Sequence, residues 1–241
     1  MSAISVDDGS TWPNRLTDAV REAAEQLRDT TQYTVDLRPT SAMLADLQAA
    51  LDGLRVTVFH ACRLLPHEVE DIRREGLAFA KSELFARKVR QAVGSGDLSD
   101  DHAARLLATT MPLDGSAGTR ADQVCAAATT FAFREDPHAV LPLLTSWGGE
   151  VLYFAHERDE LGSVLRQLGR PAVVEATVPA LAVNDLWFPD LEACLIGATL
   201  GLGDVNADVF IRTTPVVATD VTAIHTPGSE WWAQFPGLPT A

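Results

Sequence analysis

Three side chains of different chemistry sit in apolar runs of this chain: His60 in V-T-V-F-H, Tyr153 in V-L-Y-F and Glu175 in A-V-V-E-A-T-V. A carboxylate inside an apolar strand is costly unless it has a partner or a task, so Glu175 is the most informative of the three. Such a group can take up a proton or stabilise a positive centre that develops during bond breaking. An imidazole can donate or accept a hydrogen bond, and an aromatic face can hold a flat ring. Glu150, in the turn W-G-G-E, is a second acid, and the glycines before it would let a ligand approach the backbone closely. Taken singly, each has a plainer reading: an outward position on an edge strand for Glu175, and a place in the core for His60 and Tyr153. Together they suggest a site.

The elements that must position these groups follow from local pattern. Val56, Val58 and Phe59 form a short apolar run of the kind a covered central strand has, and it delivers His60 to the loop that follows. Pro66 then suits a first helical position, acids Glu68, Glu70 and Asp71 lie toward the positive N-terminal end, and Arg73, Arg74 and Gly76 close the helix. Glu150 to His156 reads as a strand carrying Tyr153, Glu160 to Leu168 as a helix, and Pro171 to Pro179 as the strand carrying Glu175.

Around this core, Leu16, Ala19, Val20, Ala23 and Leu27 recur at helical spacing, and Ser41 to Leu51 is a second helix ending near Gly53. These two predict a helical N-terminal cover over residues 1–53, with an α+β domain over 54–241. Helices at Ser82–Val93 and Ser99–Ala108 form a helical insert, and M-P-L-D-G-S-A-G-T-R after them is rich in turn formers and suited to a loop over a ligand. Gln123 to Phe133 is ambiguous, with a strand favoured at its end. Pro137 to Trp147 is a helix, Leu191 to Leu200 a helix or a buried strand, and Val209 to Ile224 two strands. Trp231 and Trp232 suit a tail that docks on the core rather than a ligand platform.

With 241 residues, 46% of them hydrophobic, the chain can bury a substantial core. Its net charge of −14 disfavours unselective binding to phosphate backbones. The bases Arg63, Arg73, Arg74, Lys81, Arg87, Lys88 and Arg90 do cluster, either as a solvated helical face or as a local anion site. Cys62, Cys125 and Cys194 match no zinc or disulfide spacing, which points to a reducing cytoplasm and to no metal. The N-terminus lacks an export pattern, and no run approaches the roughly 18 apolar residues of a membrane span.

F-H-A-C-R-L-L-P-H-E-V-E-D-I-R-R-E-G-L, L-Y-F and V-V-E-A-T-V-P together resemble the ADP-ribosyltransferase superfamily, in particular bacterial members similar to DNA-modifying toxins and poly-ADP-ribose-polymerase-type enzymes. The resemblance covers roughly residues 55–179. It implies a split mixed β-sheet that binds NAD as substrate, with Glu175 as the catalytic carboxylate, Tyr153 stacking on nicotinamide and His60 at the adenosine ribose. Cys62 stands where the family has a hydroxyl residue beside the dinucleotide, Arg63 could meet the pyrophosphate, and Glu150 is the second acidic candidate. Val173, two residues before Glu175, replaces the acid or amide typical of arginine- and asparagine-modifying toxins. The implied setting is a toxin or defence effector that transfers ADP-ribose to a protein, a nucleic acid or water, with a neutralising partner protein. Two alternatives stay open: an inactive transferase-like interaction module, and an NAD-dependent RNA 2′-phosphotransferase, against which the acidic balance speaks.

Overall fold

The computed structural model describes residues 3–29, 33–34, 37–109, 122–135, 137–184, 191–202, 208–211 and 214–240. The turn-rich segment 111–120 lies outside them. In chain order the elements are β1 (Ala3–Ile4), α1 (Asn14–Leu27), α2 (Ser41–Leu51), β2 (Arg55–Leu64), α3 (Pro66–Glu75), α4 (Ser82–Gly94) and α5 (Asp100–Thr109). They continue with β3 (Val124–Ala127), α6 (Phe131–Arg134), α7 (Pro137–Thr145), α8 (Glu150–His156), α9 (Glu160–Gln167) and β4 (Arg170–Pro179). The last are β5 (Val183–Asn184), α10 (Leu191–Leu200), β6 (Asp208–Ile211), β7 (Val221–His225) and α11 (Glu230–Ala233).

The architecture is α+β with one mixed, open sheet, ordered β5-β6-β3-β2-β4-β7, and β1 pairs in parallel with β2 beside this path. Its spine is the antiparallel pair β2 and β4, in register from Arg55↔Pro179 to Leu64↔Arg170. Val56, Val58, Val174, Ala176 and Val178 face one side, where they share a core with Leu16 and Val20 of α1, Leu47 and Leu51 of α2, and Leu195 and Ile196 of α10. The N-terminal helices therefore pack on this face of the sheet. Phe59, Ala61 and Val173 face the other side, against Phe133 of α6, Val140 and Leu144 of α7, and Trp232.

Beyond the end of the sheet a third core joins Phe85 and Val89 of α4, Leu106 of α5, Trp147, Leu152 of α8, and Leu161 and Leu165 of α9. Here the structure corrects one expectation. Glu150–His156 is a helix and not a strand, because Gly148 and Gly149, both at positive φ, turn the chain sharply and Leu152 drops beneath α4 and α9. Gln123–Phe133 also resolves in the opposite order, strand first and a short helix from Phe131. Pro66 does start α3 and Gly76 ends it at φ +86. A side chain on Gly76 would overlap the Val216 carbonyl oxygen, which accepts from the Leu77 N–H at 2.8 Å.

Candidate functional site

Side chains alternate between the two faces of a strand, and directly paired residues of adjacent strands share a face. Phe59 pairs with Glu175, and His60 pairs with Val174. Glu175 therefore points to the α6, α7 and α11 side, whereas His60 lies on the α1, α2 and α10 side with Val58 and Val174. The sheet separates them. The expected meeting of His60 with Glu175 does not occur, because β2 continues as regular strand through His60 to Leu64 rather than ending in a loop at His60.

On its own face, half-buried His60 donates from Nδ1 to the Cys125 carbonyl at 2.7 Å, and burial pushes its pKa below the ordinary imidazole value, with Lys88 adding to the shift. The Cys62 thiol donates to the Ala172 carbonyl at 3.6 Å, and burial raises its pKa to about 12, so it is an inert thiol at neutral pH. Arg63, buried, donates from Nε to the Leu168 carbonyl at 2.5 Å and from an Nη to the Leu144 carbonyl at 3.4 Å. Its fork ties α7 and α9 to the sheet, where the sequence suggests a pyrophosphate contact. It stands four residues along β2 from Phe59, about 13 Å from Glu175's partner position. Glu150 and Tyr153 lie on α8, whose Leu152 is in the helical core beyond the sheet end, so neither stands on a strand as expected.

Because the folded state disfavours protonated His60, the unfolded chain binds that proton more readily, and stability must rise with pH across the ordinary histidine range. Urea midpoints are expected to fall from about pH 7 to pH 5 in the wild type, and less steeply in His60→Asn. Equal slopes for the two proteins would contradict the placement of His60.

The group that does assemble is built on Glu175. Ala223 pairs with Glu175 and Val221 with Ala176, so Thr222 is the extra residue of a bulge on the edge strand β7. The bulge lets two residues of β7 reach one carboxylate. Thr222 donates its hydroxyl to Oε1 at 2.9 Å, and His225 Nε2 lies 2.9 Å from Oε2. The His225 bond, and after it the Thr222 bond, hold the Glu175 carboxyl below the usual glutamate range although burial opposes them. Glu175 is thus an ionised, acceptor-only group at neutral pH, and Nε2 of His225 must carry the shared hydrogen.

Trp231 then fixes the imidazole plane: the two rings stack at 4.6 Å with 11° between them. Behind the tryptophan stand Phe235 at 4.5 Å, Phe133 at 5.4 Å and Phe59 at 5.9 Å. Ser229 caps α11 by accepting from the Trp232 N–H at 3.2 Å, and Trp232, Phe235 and Leu238 anchor the tail in the core. The tail docks, as its two tryptophans suggest.

Comparison with known protein families, with curated proteins and with solved structures finds no match. What the site can do is therefore read from its own atoms. The dyad of Glu175 and His225, with side chains 26% and 15% exposed, is open enough to meet a solute and buried enough to keep its geometry.

Thr222 and His225 were not legible as site residues, since nothing in V-T-A-I-H marks it as the neighbour of β4. Glu68 was read only as a helix-start acid. It is a buried hub: Oε2 accepts from the Leu65 N–H at 2.8 Å and the Trp147 indole at 2.7 Å, while Lys88 Nζ lies 2.8 Å from Oε1. Four further bases of this segment pair on the surface, Arg73 with Glu70, Arg74 with Asp71 and Glu75, Arg87 with Glu75 and Lys81 with Asp122. That pattern is a solvated face rather than an anion site. A cleft of about 290 Å³ lies elsewhere, between the N-terminal segment, α1 and α10, lined by Asp7, Trp12, Arg21 and Thr199. Among the described residues no cluster of three or more His, Cys, Asp or Glu could hold a metal, and no helix is long and apolar enough to cross a membrane.

Proposed function

We propose that this chain breaks the bond between nicotinamide and ribose in NAD and passes ADP-ribose to an acceptor or to water, with Glu175 as the catalytic carboxylate and His60 outside the site. The observation that carries the reading is the state of Glu175: an acid in an apolar strand, kept ionised by Thr222 and His225 on a partly open, aromatic-lined face. A fixed negative charge of this kind stabilises the positive charge that develops on the ribose as nicotinamide leaves. The run V-V-E-A-T-V-P and its likeness to the ADP-ribosyltransferase signature support the choice of NAD, and an α+β chain with a mixed sheet is compatible with that type of core. The dinucleotide contacts expected of His60, Cys62 and Arg63 form no part of this proposal.

A second reading, an interaction module of transferase-like fold without turnover, draws on a specific observation too. Both oxygens of Glu175 already accept hydrogen bonds, and His60 lies across the sheet. Purified protein incubated with labelled NAD separates the two. Nicotinamide release, with or without transfer of label to added protein or nucleic acid, supports the enzyme; NAD binding with no release supports the module; neither binding nor release would end the enzyme reading.

A further inference from the structure

We infer that His225 is the general base of this site and that the acceptor it serves is an oxygen nucleophile, water or a hydroxyl group. The inference rests on the NAD reading above and adds a residue and an acceptor class to it. Glu175 Oε2 occupies Nε2 of His225, so Nδ1 is the remaining nitrogen of the ring, and it has no hydrogen-bond partner among the described residues. The stack on Trp231 holds the ring in one plane, and Thr222 holds the other carboxylate oxygen, so Nδ1 keeps a fixed direction from a site open to solvent. A carboxylate that orients an imidazole and stabilises its cation is the arrangement by which hydroxyl nucleophiles are activated elsewhere.

In the step, the C1′–N bond breaks and its electron pair leaves with nicotinamide, which becomes neutral. A lone pair of the acceptor oxygen forms the new C1′–O bond, and the acceptor's proton passes to Nδ1. The resulting imidazolium is stabilised by Glu175 and returns the proton to solvent. A guanidinium acceptor is excluded on the same chemistry, because imidazole cannot deprotonate a group that stays protonated in proteins.

The test uses the full chain with NAD, with and without sodium azide, comparing wild type, His225→Gln and His225→Phe. The phenylalanine variant keeps a ring on Trp231, and the glutamine variant keeps an N–H donor for Glu175, so equal behaviour of the two separates loss of the base from loss of packing or of the Glu175 contact. Azide forms a bond to C1′ without giving up a proton. Both variants are expected to lose about 10²-fold in ADP-ribose formation from water and to recover nicotinamide release in azide, with glycosyl azide as product. Water turnover at the wild-type rate in either variant, or loss without azide rescue while wild type is active, would overturn the role of His225 and leave the NAD reading standing. Absence of nicotinamide release from wild type itself would instead defeat the NAD reading and this inference with it.

Discussion

Glu175→Gln is expected to fold and to lose a factor of about 10² to 10⁴ in nicotinamide release relative to wild type. The substitution keeps the shape of the side chain and removes its charge. The amide oxygen can still accept from His225 Nε2–H, and the Thr222 hydroxyl can turn to accept from the new NH₂ group, so both contacts survive in altered form. A loss of about 1 kcal/mol in stability is the most that trading two charge-assisted bonds at a part-exposed position should bring. The loss in rate is larger because the charge opposes the ribosyl cation only in the transition state. Release of nicotinamide at equal rates by both proteins would remove Glu175 from the mechanism. The same pair gives an independent check on its ionisation. The folded-state pKa lies below the unfolded value, so the carboxylate contributes stability above about pH 4.3 that is lost as pH falls through the folded value. That acid-side loss should be smaller in Glu175→Gln.

Glu68→Leu is expected to destabilise the fold by about 3 to 5 kcal/mol, read as a shift in urea midpoint at constant slope. The carboxylate is 4% exposed and serves three donors at once: the Leu65 N–H that starts α3, the Trp147 indole and the Lys88 ammonium. Removing it leaves all three without their acceptor in the region where α3, α4 and α8 meet. Lys88, at 30% exposure, can turn to water, whereas the indole of fully buried Trp147 cannot. Lys88→Met alone should therefore harm less than Glu68→Leu, and the double variant should be less damaged than the sum, with a coupling of about 1 to 3 kcal/mol. Strict additivity would show that Glu68 and Lys88 do not act as a pair.

Much of the fold was legible. The helices α1, α2, α4, α5 and α9 follow apolar spacing that one face of a helix must have, and α3 is bounded by Pro66 and Gly76 for backbone reasons that hold in any setting. The strands β2 and β4 declare themselves through β-branched runs. Glu150–His156 misled because V-L-Y-F-A reads equally well as a covered strand or as a short packed helix. Its state depends on the positive-φ glycine pair before it and on the core it meets, and only the second of these lies outside the local sequence.

The site divides in the same way. That Glu175 needed a partner followed from the cost of a carboxylate in an apolar strand. Which partner it has could not follow, because a strand's own pattern says which residues share a face but not how that face aligns with a neighbour, and a slip of one residue reverses every side chain. Register places Phe59 rather than His60 beside Glu175. A single bulge then brings Thr222 and His225, some fifty positions later, to its two oxygens. The sequence by itself determined the need of a buried charge for compensation; tertiary pairing decided what supplies it, since hydrogen bonds between strands set distances that no local pattern encodes.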